Sequence, residues 1–199
     1  MKIRAIVFDY FGVLAGEPAL YFNKKISEII GVDTKKIKII YHKYNDLHNT
    51  GKITWDELWA RVLGDLDKLS SLDEVIKFVK TPKKINLNVI SLVKELKEKG
   101  LIVALLSNYS REGGKRMREK EHLDKIFDPM LISAETGLAK PHPEAFYDLL
   151  KKLNLKPSEV LFIDDARINI KSAQKIGINT ILCRDTDKLK TLLEKRGIL

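Results

Sequence analysis

The sequence predicts an α/β fold, a Rossmann-like, doubly wound parallel sheet with an inserted all-helical cap. Apolar runs of strand length alternate with amphipathic helical stretches through the second half of the chain, which implies right-handed crossovers and a parallel sheet covered on both faces. One further apolar run of strand length lies near the N-terminus. The long segment between it and the later runs shows only the periodicity of helices. We therefore assign residues 1–15 and 81–199 to a Rossmann-like core and residues 16–80 to the cap.

The first strand is predicted over residues 2–8, KIRAIVF, because this short apolar run contains β-branched residues. From Pro18 to about Lys80 the pattern is helical throughout. Two capping boxes, Thr54 to Glu57 and Ser71 to Glu74, are expected to begin amphipathic helices within it.

Beyond Thr81-Pro82 helices and strands alternate. Gly100 and Gly177 end two of the helices, and Pro143 stands in the first turn of a third. The predicted helices cover 87–99, 143–152 and 168–176, with two more starting near Gly113 and Asp187; the predicted strands cover 101–106, 130–132, 160–163 and 179–183. Cys183, on the last strand, is expected to be buried and unreactive.

Composition excludes several classes of protein. The apolar runs are far shorter than the ~20 residues of a membrane span, and a single cysteine excludes an internal disulfide and fits a reducing cytoplasm. The net charge of +9 suggests an anionic partner, but the surplus lies in the core segments and is interleaved with acidic residues. We therefore expect a small anionic, phosphorylated substrate, with no nucleic acid and no membrane, and a monomer or homodimer.

Polar residues stand where the predicted strands end. Asp9 follows the first strand, Ser107-Asn108 the second and Asp164-Asp165 the fourth, while Lys140 lies in the loop GLAKPHPEAF. Ligands bind at the carboxyl ends of parallel strands, so these side chains are expected to converge. Crowded carboxylates repel one another unless a cation intervenes, and Mg²⁺ prefers oxygen ligands. The pattern predicts phosphoryl transfer, with Asp9 as nucleophile and with Lys140 and Ser107 offsetting charge.

In order and spacing these residues resemble the four motifs of the haloacid dehalogenase superfamily of hydrolases: Asp9 in FDYFGVL, Ser107 in LLSN, Lys140 in GLAKPHPEAF and Asp164-Asp165 in FIDDARINIKSA. The helical stretch between the first two motifs is similar to that family's cap. The resemblance is closest to the subgroup of haloacid dehalogenases, sugar phosphatases and epoxide-hydrolase N-terminal phosphatases. It implies an Mg²⁺-dependent phosphatase that works through an aspartyl-phosphate.

The resemblance also implies individual roles. Asp9 would be the nucleophile and a metal ligand, and Asp165, four residues before Asn169, the main metal ligand. Asp164 would be a second metal contact, and Asn169 would order the loop and helix start. Phosphoryl binding would fall to Ser107 and Lys140 with Asn108 lining the site, and the backbone carbonyl of Phe11 would complete the metal ligands.

Phe11 departs from the family pattern, because phosphatases of this family carry an acid–base aspartate there. General acid–base help is worth ~10²–10⁴-fold in rate. The chain is therefore a phosphatase for good leaving groups or one with a proton donor from its cap, a weakly active or non-catalytic relative, or a metal-independent 2-haloacid dehalogenase. The acidic pair Asp164-Asp165 argues against a dehalogenase, as does Phe146, where dehalogenases tend to have tyrosine. Response-regulator receiver domains, which carry similar residues around Mg²⁺ but act as switches, are excluded because their acidic pair comes first in the chain.

The cap is expected to cover the site and to select the substrate. Trp55, Leu58, Trp59 and Val62 have helical spacing, which is more typical of core packing than of ligand contact. His48 is interpreted as a loop histidine exposed to solvent, although it could replace the missing acid. His142 lies near the site. The cap residues that could face a ligand are Arg61, Trp55, Trp59, Tyr41, Tyr44 and His48.

Overall fold

The computed structural model describes residues 2–16 and 19–199. Glu17 and Pro18, at the start of the predicted helical stretch, lie outside the described residues, as does Met1. Within the described chain, elements alternate between strand and helix, except that five helices lie between the first and second strands.

The centre of the fold is a parallel sheet of five strands in the order β3-β2-β1-β4-β5. The strands within the described residues are β1 (Ala5–Phe8), β2 (Ile102–Ser107), β3 (Met130–Ile132), β4 (Val160–Asp164) and β5 (Asn179–Leu182). β1 lies in the middle, with Ala5 opposite Ile102 on one side and opposite Val160 on the other. This arrangement confirms the predicted doubly wound α/β fold.

Two apolar layers cover the sheet. Ile6 and Phe8 of β1 pack into the cluster on one face, and Ala5 and Val7 pack into the cluster on the other. This alternation follows from the two-residue period of a strand. The core helices are α5 (Leu87–Glu98), α6 (Arg111–Glu119), α7 (Ser133–Thr136), α8 (Pro143–Leu153), α9 (Arg167–Lys175) and α10 (Leu189–Glu194).

The helical insertion, residues 19–80, contains α1 (Ala19–Ile30), α2 (Thr34–Asn49), α3 (Trp55–Gly64) and α4 (Leu72–Lys80). It has an apolar cluster of its own that includes the fully buried Leu58 and Val62, as their helical spacing predicts. Whether residues 16–80 form a separate domain stays a prediction. No helix among the described residues is both long enough and apolar enough to cross a membrane.

One of the two predicted capping boxes is present. Thr54 Oγ1 accepts from the Glu57 backbone N–H at 3.2 Å, and Glu57 Oε2 accepts from the Thr54 N–H at 2.7 Å. The second box is wrong, because Ser71 makes no side-chain cap bond. Ser71 ends a 3₁₀ turn that runs straight into α4, so its backbone (φ −91°, ψ 4°) is not in the extended conformation of an N-cap residue.

Several features of the core differ from prediction. Strand β1 begins at Ala5 rather than at residue 2. Helix α6 begins at Arg111 rather than near Gly113, because the Ser110 hydroxyl caps it by accepting from the Gly113 N–H at 3.1 Å. The short helix α7 was not predicted from its four residues. Cys183 is buried as expected, but it lies one residue beyond β5.

Candidate active site

Three charged side chains meet at the carboxyl edge of the sheet. Asp9 directly follows β1, Asp164 ends β4, and Lys140 comes from the loop before α8. Lys140 Nζ lies 2.8 Å from Asp9 Oδ1 and 2.7 Å from Asp164 Oδ2. All three residues are at most 7% exposed, so a single ammonium group is held between two buried carboxylates.

Asp164 is fixed in place by its own chain segment. Asn169, in the first turn of α9, donates from Nδ2 to both carboxylate oxygens of Asp164, at 3.1 and 3.0 Å. The Ala166 backbone N–H donates to Asp164 Oδ1 at 2.7 Å. Asn169 thus joins the end of β4 to the start of α9.

Asn108 is joined to Lys140 through the backbone. Its Oδ1 accepts from the Lys140 N–H at 2.9 Å, and its Nδ2 donates to the Lys140 carbonyl at 2.6 Å. The residue before it, Ser107, is fully buried, and its hydroxyl has no hydrogen-bond partner among the described residues. A buried hydroxyl without a partner is costly and is a donor available to a ligand oxygen.

Asp9, Asp164 and Asp165 form a group that we call the carboxylate cluster. Each offers an oxygen, and these oxygens lie within 4.8 Å of one another. Gly12 makes room for Asp165, because a Cβ at Gly12 would lie 2.4 Å from Asp165 Oδ2 and because its φ of +71° favours glycine. An oxygen-only donor set that is partly exposed at Asp165 fits Mg²⁺, which keeps several of its waters.

The charge states of Asp9 and Lys140 depend on one another, because the positive charge of the lysine offsets the burial and crowding of the carboxylates. Burial raises the pKa of Asp9 well above its ordinary value of 3.8, and the nearby Asp164 and Asp165 add to that rise, against the opposing effect of Lys140. For Lys140, burial alone would lower the pKa, but the charges of Asp164 and Asp9 outweigh it and the pKa is raised. Lys140 therefore stays charged, and Asp9 gains its anionic form when more positive charge is brought to the cluster.

Phe11 carries no group that can transfer a proton. Its half-buried ring packs edge-on against Tyr10 and Tyr109, with centroids 4.9 and 4.8 Å away. The Tyr10 hydroxyl donates to Glu121 at 2.8 Å, and Arg116 donates to the Tyr109 hydroxyl at 3.0 Å. This network was missed from the sequence, where the only signal is that each tyrosine directly follows a predicted site residue, Asp9 or Asn108.

The expectation that His48 is a solvent-exposed loop residue is wrong. Helix α2 continues to Asn49, and His48 is 1% exposed, with its ring 4.0 Å from that of Trp55. Neither ring nitrogen has a hydrogen-bond partner among the described residues. The side chain lines a cavity of about 140 Å³, which we call the junction cavity, together with Gly51, Lys52, Ile53, Thr54, Glu57, Ser110, Arg111, Glu112 and Ala134.

The other candidate residues lie outside the carboxylate cluster. His142 is exposed, and its Nε2 lies 3.4 Å from Asp46 Oδ2 of α2. Phe146 is fully buried and packs edge-on against Phe162 at 5.3 Å, so it belongs to the core. The Arg61 guanidinium lies 5.9 Å from the Tyr44 ring, on the helical insertion.

Comparisons with known proteins agree on one family. A family described as haloacid dehalogenase-like hydrolase matches residues 3–177. The phosphorylated carbohydrates phosphatase of Thermotoga maritima is 27% identical, across 98% of this chain and 93% of its own. The pyrophosphatase PpaX of Bacillus cereus is 30% identical, across 98% and 89%. Bifunctional epoxide hydrolase 2 of Sus scrofa is 28% identical across 98% of this chain, which spans only 39% of the length of that protein.

Solved structures show the same relationship. A HAD family enzyme of Bacteroides thetaiotaomicron has a TM-score of 0.74 and 25% identity, covering 97% of this chain and 99% of that one. The same enzyme in complex with magnesium and inorganic phosphate has a TM-score of 0.70 and 26% identity, covering 96% and 98%.

Proposed function

The chain belongs to the haloacid dehalogenase-like hydrolase family, and from this premise we propose that it is an Mg²⁺-dependent phosphatase for a small phosphorylated metabolite. The observation that carries the proposal is the buried Lys140 held between Asp9 and Asp164 beside a third carboxylate. Such a site suits a ligand that brings both a divalent cation and anionic oxygens. The relative of similar fold that was crystallised with magnesium and inorganic phosphate supports the same assignment.

Asp9 is proposed as the nucleophile. Its Oδ1 accepts from the Tyr10 N–H at 2.7 Å and from Lys140 at 2.8 Å, which favours Oδ2 as the attacking atom. An Asp9 oxygen forms a bond to phosphorus while the bond from phosphorus to the ester oxygen breaks. Water then attacks the resulting aspartyl-phosphate, releasing inorganic phosphate and regenerating the Asp9 carboxylate.

The remaining site residues are proposed to bind the transferring group. The buried Ser107 hydroxyl and the Lys140 ammonium donate to phosphoryl oxygens, and Asn108 positions Lys140 through its backbone. Asp9, Asp164 and Asp165, with the backbone carbonyl of Phe11, would hold Mg²⁺, which when bound neutralises charge on the carboxylates and on the phosphoryl group. These donors stabilise the charge that develops as the ester bond breaks.

With Phe11 in place of an acid, the leaving oxygen is proposed to take its proton from water. Good leaving groups are therefore expected to react fastest, because they need this proton least. A metal-independent dehalogenase is disfavoured because burial, with a further contribution from the neighbouring Asp164 and Asp165, raises the pKa of Asp9 when no cation is bound. We also propose a cytoplasmic location, which fits the single, buried cysteine.

The helical insertion is proposed to act as a cap over this site. It approaches the core closely, since a Cβ at Gly51 would lie 2.6 Å from the Ala134 carbonyl oxygen. A second contact joins Asp46 of α2 to His142, two residues after Lys140. A cap in this position would exclude water and contact the leaving group.

Replacing Asp9 tests the proposal. Hydrolysis of p-nitrophenyl phosphate and of a panel of phosphoesters is measured with Mg²⁺ and with a chelator. Asp9→Asn is expected to lower kcat by at least ~10³-fold, because an amide is a poor nucleophile. Asp56→Asn, which changes an exposed aspartate of the helical insertion, is the matched control and is expected to keep full activity.

Two results would contradict the proposal. Activity that survives Asp9→Asn would exclude the aspartyl-phosphate, and activity unchanged by the chelator would exclude the metal. Halide release from a 2-haloacid without Mg²⁺, in place of phosphate release, would instead assign the chain to the dehalogenases.

A further inference from the structure

The junction cavity lies where the helical insertion meets the core. Gly51, Lys52 and Ile53 contribute one wall from the segment between α2 and α3, and Ser110 and Arg111 contribute another from the start of α6. Ser110 is two residues beyond Asn108, so their Cα atoms are less than about 8 Å apart. The cavity is therefore a neighbour of the proposed phosphoryl site but shares no residue with it.

His48 is the polar group of this cavity that the fold leaves unsatisfied. It is 1% exposed, and both ring nitrogens lack a partner among the described residues. Burying an imidazole without hydrogen bonds is costly, and such groups are rare in folded proteins. A ligand that pairs with both nitrogens would remove this cost.

The charges that line the cavity point to an uncharged ligand. Burial lowers the pKa of His48 to about 4, so the ring is neutral at pH 7. Smaller opposing effects come from the nearby Asn49 side chain, which does not reach hydrogen-bond geometry with either ring nitrogen, and from the charge of Glu112. A neutral imidazole offers one donor and one acceptor. Around it Lys52 and Arg111 are balanced by Glu57 and Glu112, which leaves no net charge to attract an anion.

The ligand must also be small and able both to donate and to accept. A cavity of about 140 Å³ holds about five water molecules, whereas pockets for drug-sized ligands measure ~300–1,000 Å³. The Ser110 hydroxyl accepts from the Gly113 N–H, so its own hydrogen can be donated into the cavity. Hydroxyl groups, which donate and accept at one atom, match these partners.

We propose that the junction cavity is a subsite for an uncharged, hydroxylated group, and that His48 is its specificity-determining residue. That this group is the leaving part of the phosphorylated substrate rests on the proposed phosphatase function. The binding of hydroxylated ligands to the cavity does not rest on that function, because binding requires no reaction at Asp9.

Binding is tested without turnover by fluorescence. Trp55, whose ring contacts that of His48, is made the sole tryptophan by Trp59→Phe, in an Asp9→Asn background. Titration with erythritol is expected to give a saturable change that His48→Phe abolishes. His48→Gln keeps a donor and an acceptor and is expected to retain part of the change. His42→Phe, an exposed histidine on the same helix, is the matched control and is expected to behave as the parent.

The same titration can overturn the proposal. A saturable response to acetate in place of erythritol would make the cavity an anion site. No response to erythritol, or an equal response in His48→Phe, would remove the subsite. Because the titration uses a variant without the nucleophile, its result is independent of whether the chain hydrolyses phosphoesters.

Kinetics test the assignment to the substrate. His48→Phe is expected to lower kcat/KM for erythritol 4-phosphate roughly tenfold, the effect of one lost hydrogen bond, and to leave that for p-nitrophenyl phosphate within about twofold. An equal loss on both esters would mean that His48 acts through the fold, and would contradict its role in specificity.

Discussion

Two buried basic side chains, Lys140 and His48, show how one physical effect leads to opposite results. Both are at most 2% exposed, and burial lowers the pKa of each. Lys140 lies between two carboxylates at 2.8 and 2.7 Å, and their charges raise its pKa. His48 has no comparable partner, and its pKa falls to about 4.

The difference shows that burial by itself does not decide the charge of a group. Its neighbours decide it, because the cost of desolvation is recovered only through close opposite charge or hydrogen bonds. At the carboxylate cluster the fold supplies those neighbours. At the junction cavity the fold supplies no such neighbour for His48, and under our proposal a bound ligand supplies the missing hydrogen bonds.

Removing the compensated base is expected to have the largest effect. Lys140→Met leaves Asp9 and Asp164 buried without their cation, and should lower the free energy of unfolding by about 3–5 kcal/mol at pH 7.5. Chemical denaturation of both proteins without metal measures the difference. Phosphatase activity should fall below detection, because the proposed phosphoryl contact is lost.

The matched control is a lysine in an exposed pair. Lys190 Nζ lies 2.8 Å from Glu95 Oε2, and both side chains are exposed to solvent. Lys190→Met is expected to leave the unfolding midpoint unchanged. An unchanged midpoint for Lys140→Met as well would show that the buried carboxylates do not need the lysine.

The uncompensated base is expected to make stability depend on pH. His48 has an ordinary pKa of 6.5 when unfolded and about 4 when folded, so the unfolded chain binds the proton more tightly. His48 makes its full contribution to the free energy of unfolding above pH 6.5. This contribution, about 3 kcal/mol in total, is lost as the pH falls towards 4. His48→Gln should remove the part of the loss in unfolding free energy at acid pH that is due to His48.

The measurement is the free energy of unfolding of both proteins from pH 7.5 to 4. The charged residues that line the cavity with His48 are Lys52, Glu57, Arg111 and Glu112, and His48→Gln leaves all four in place. The difference between the two curves therefore isolates the imidazole. Parallel curves would mean that the His48 ring is satisfied in the folded state.

The smallest effect concerns helix α6, whose first residues line the junction cavity. A Cβ at Gly113 of α6 would lie 2.2 Å from the ring of Tyr109, which is buried and bonded to Arg116. Gly113→Ala is expected to destabilise the fold by ~1–3 kcal/mol through overpacking. Gly64→Ala, at a helical position with no atom within 4 Å of the added Cβ, should stabilise it by ~0.5–1 kcal/mol.

Thermal unfolding of these two variants measures both shifts. If Gly113→Ala also lowers activity on phosphoesters and erythritol binding together, α6 supports both regions. Equal melting temperatures for the two variants would show that Tyr109 moves aside at no cost.

The sheet and the carboxylate cluster were predictable because their signals are local. Each strand is a short apolar run, and Asp9, Ser107 and Asp164 stand at strand ends that a parallel sheet brings to one edge. Helix α7, Ser133–Thr136, gave no such signal, because four residues are too few to show a helical period. Ser71 has the sequence pattern of a capping box, but the 3₁₀ turn that it ends keeps its backbone out of the conformation that a cap requires.

What escaped prediction depends on contacts between distant segments. The burial of His48 follows from packing of the helical insertion against the start of α6. The bond from Tyr10 to Glu121 spans 111 positions of sequence. Neither position differs locally from an ordinary surface or core position, so periodicity and composition carry no information on it.

The central place of β1 has a consequence for synthesis of the chain. β1 pairs with strands that begin at Ile102 and Val160. The backbone hydrogen-bonding groups of this apolar strand therefore lack both partner strands while the intervening chain is made. A ribosome that adds ~5–20 residues per second leaves this strand unpaired for several seconds. Asp9, which directly follows β1, therefore stands in a finished site only after Asp164 has left the exit tunnel.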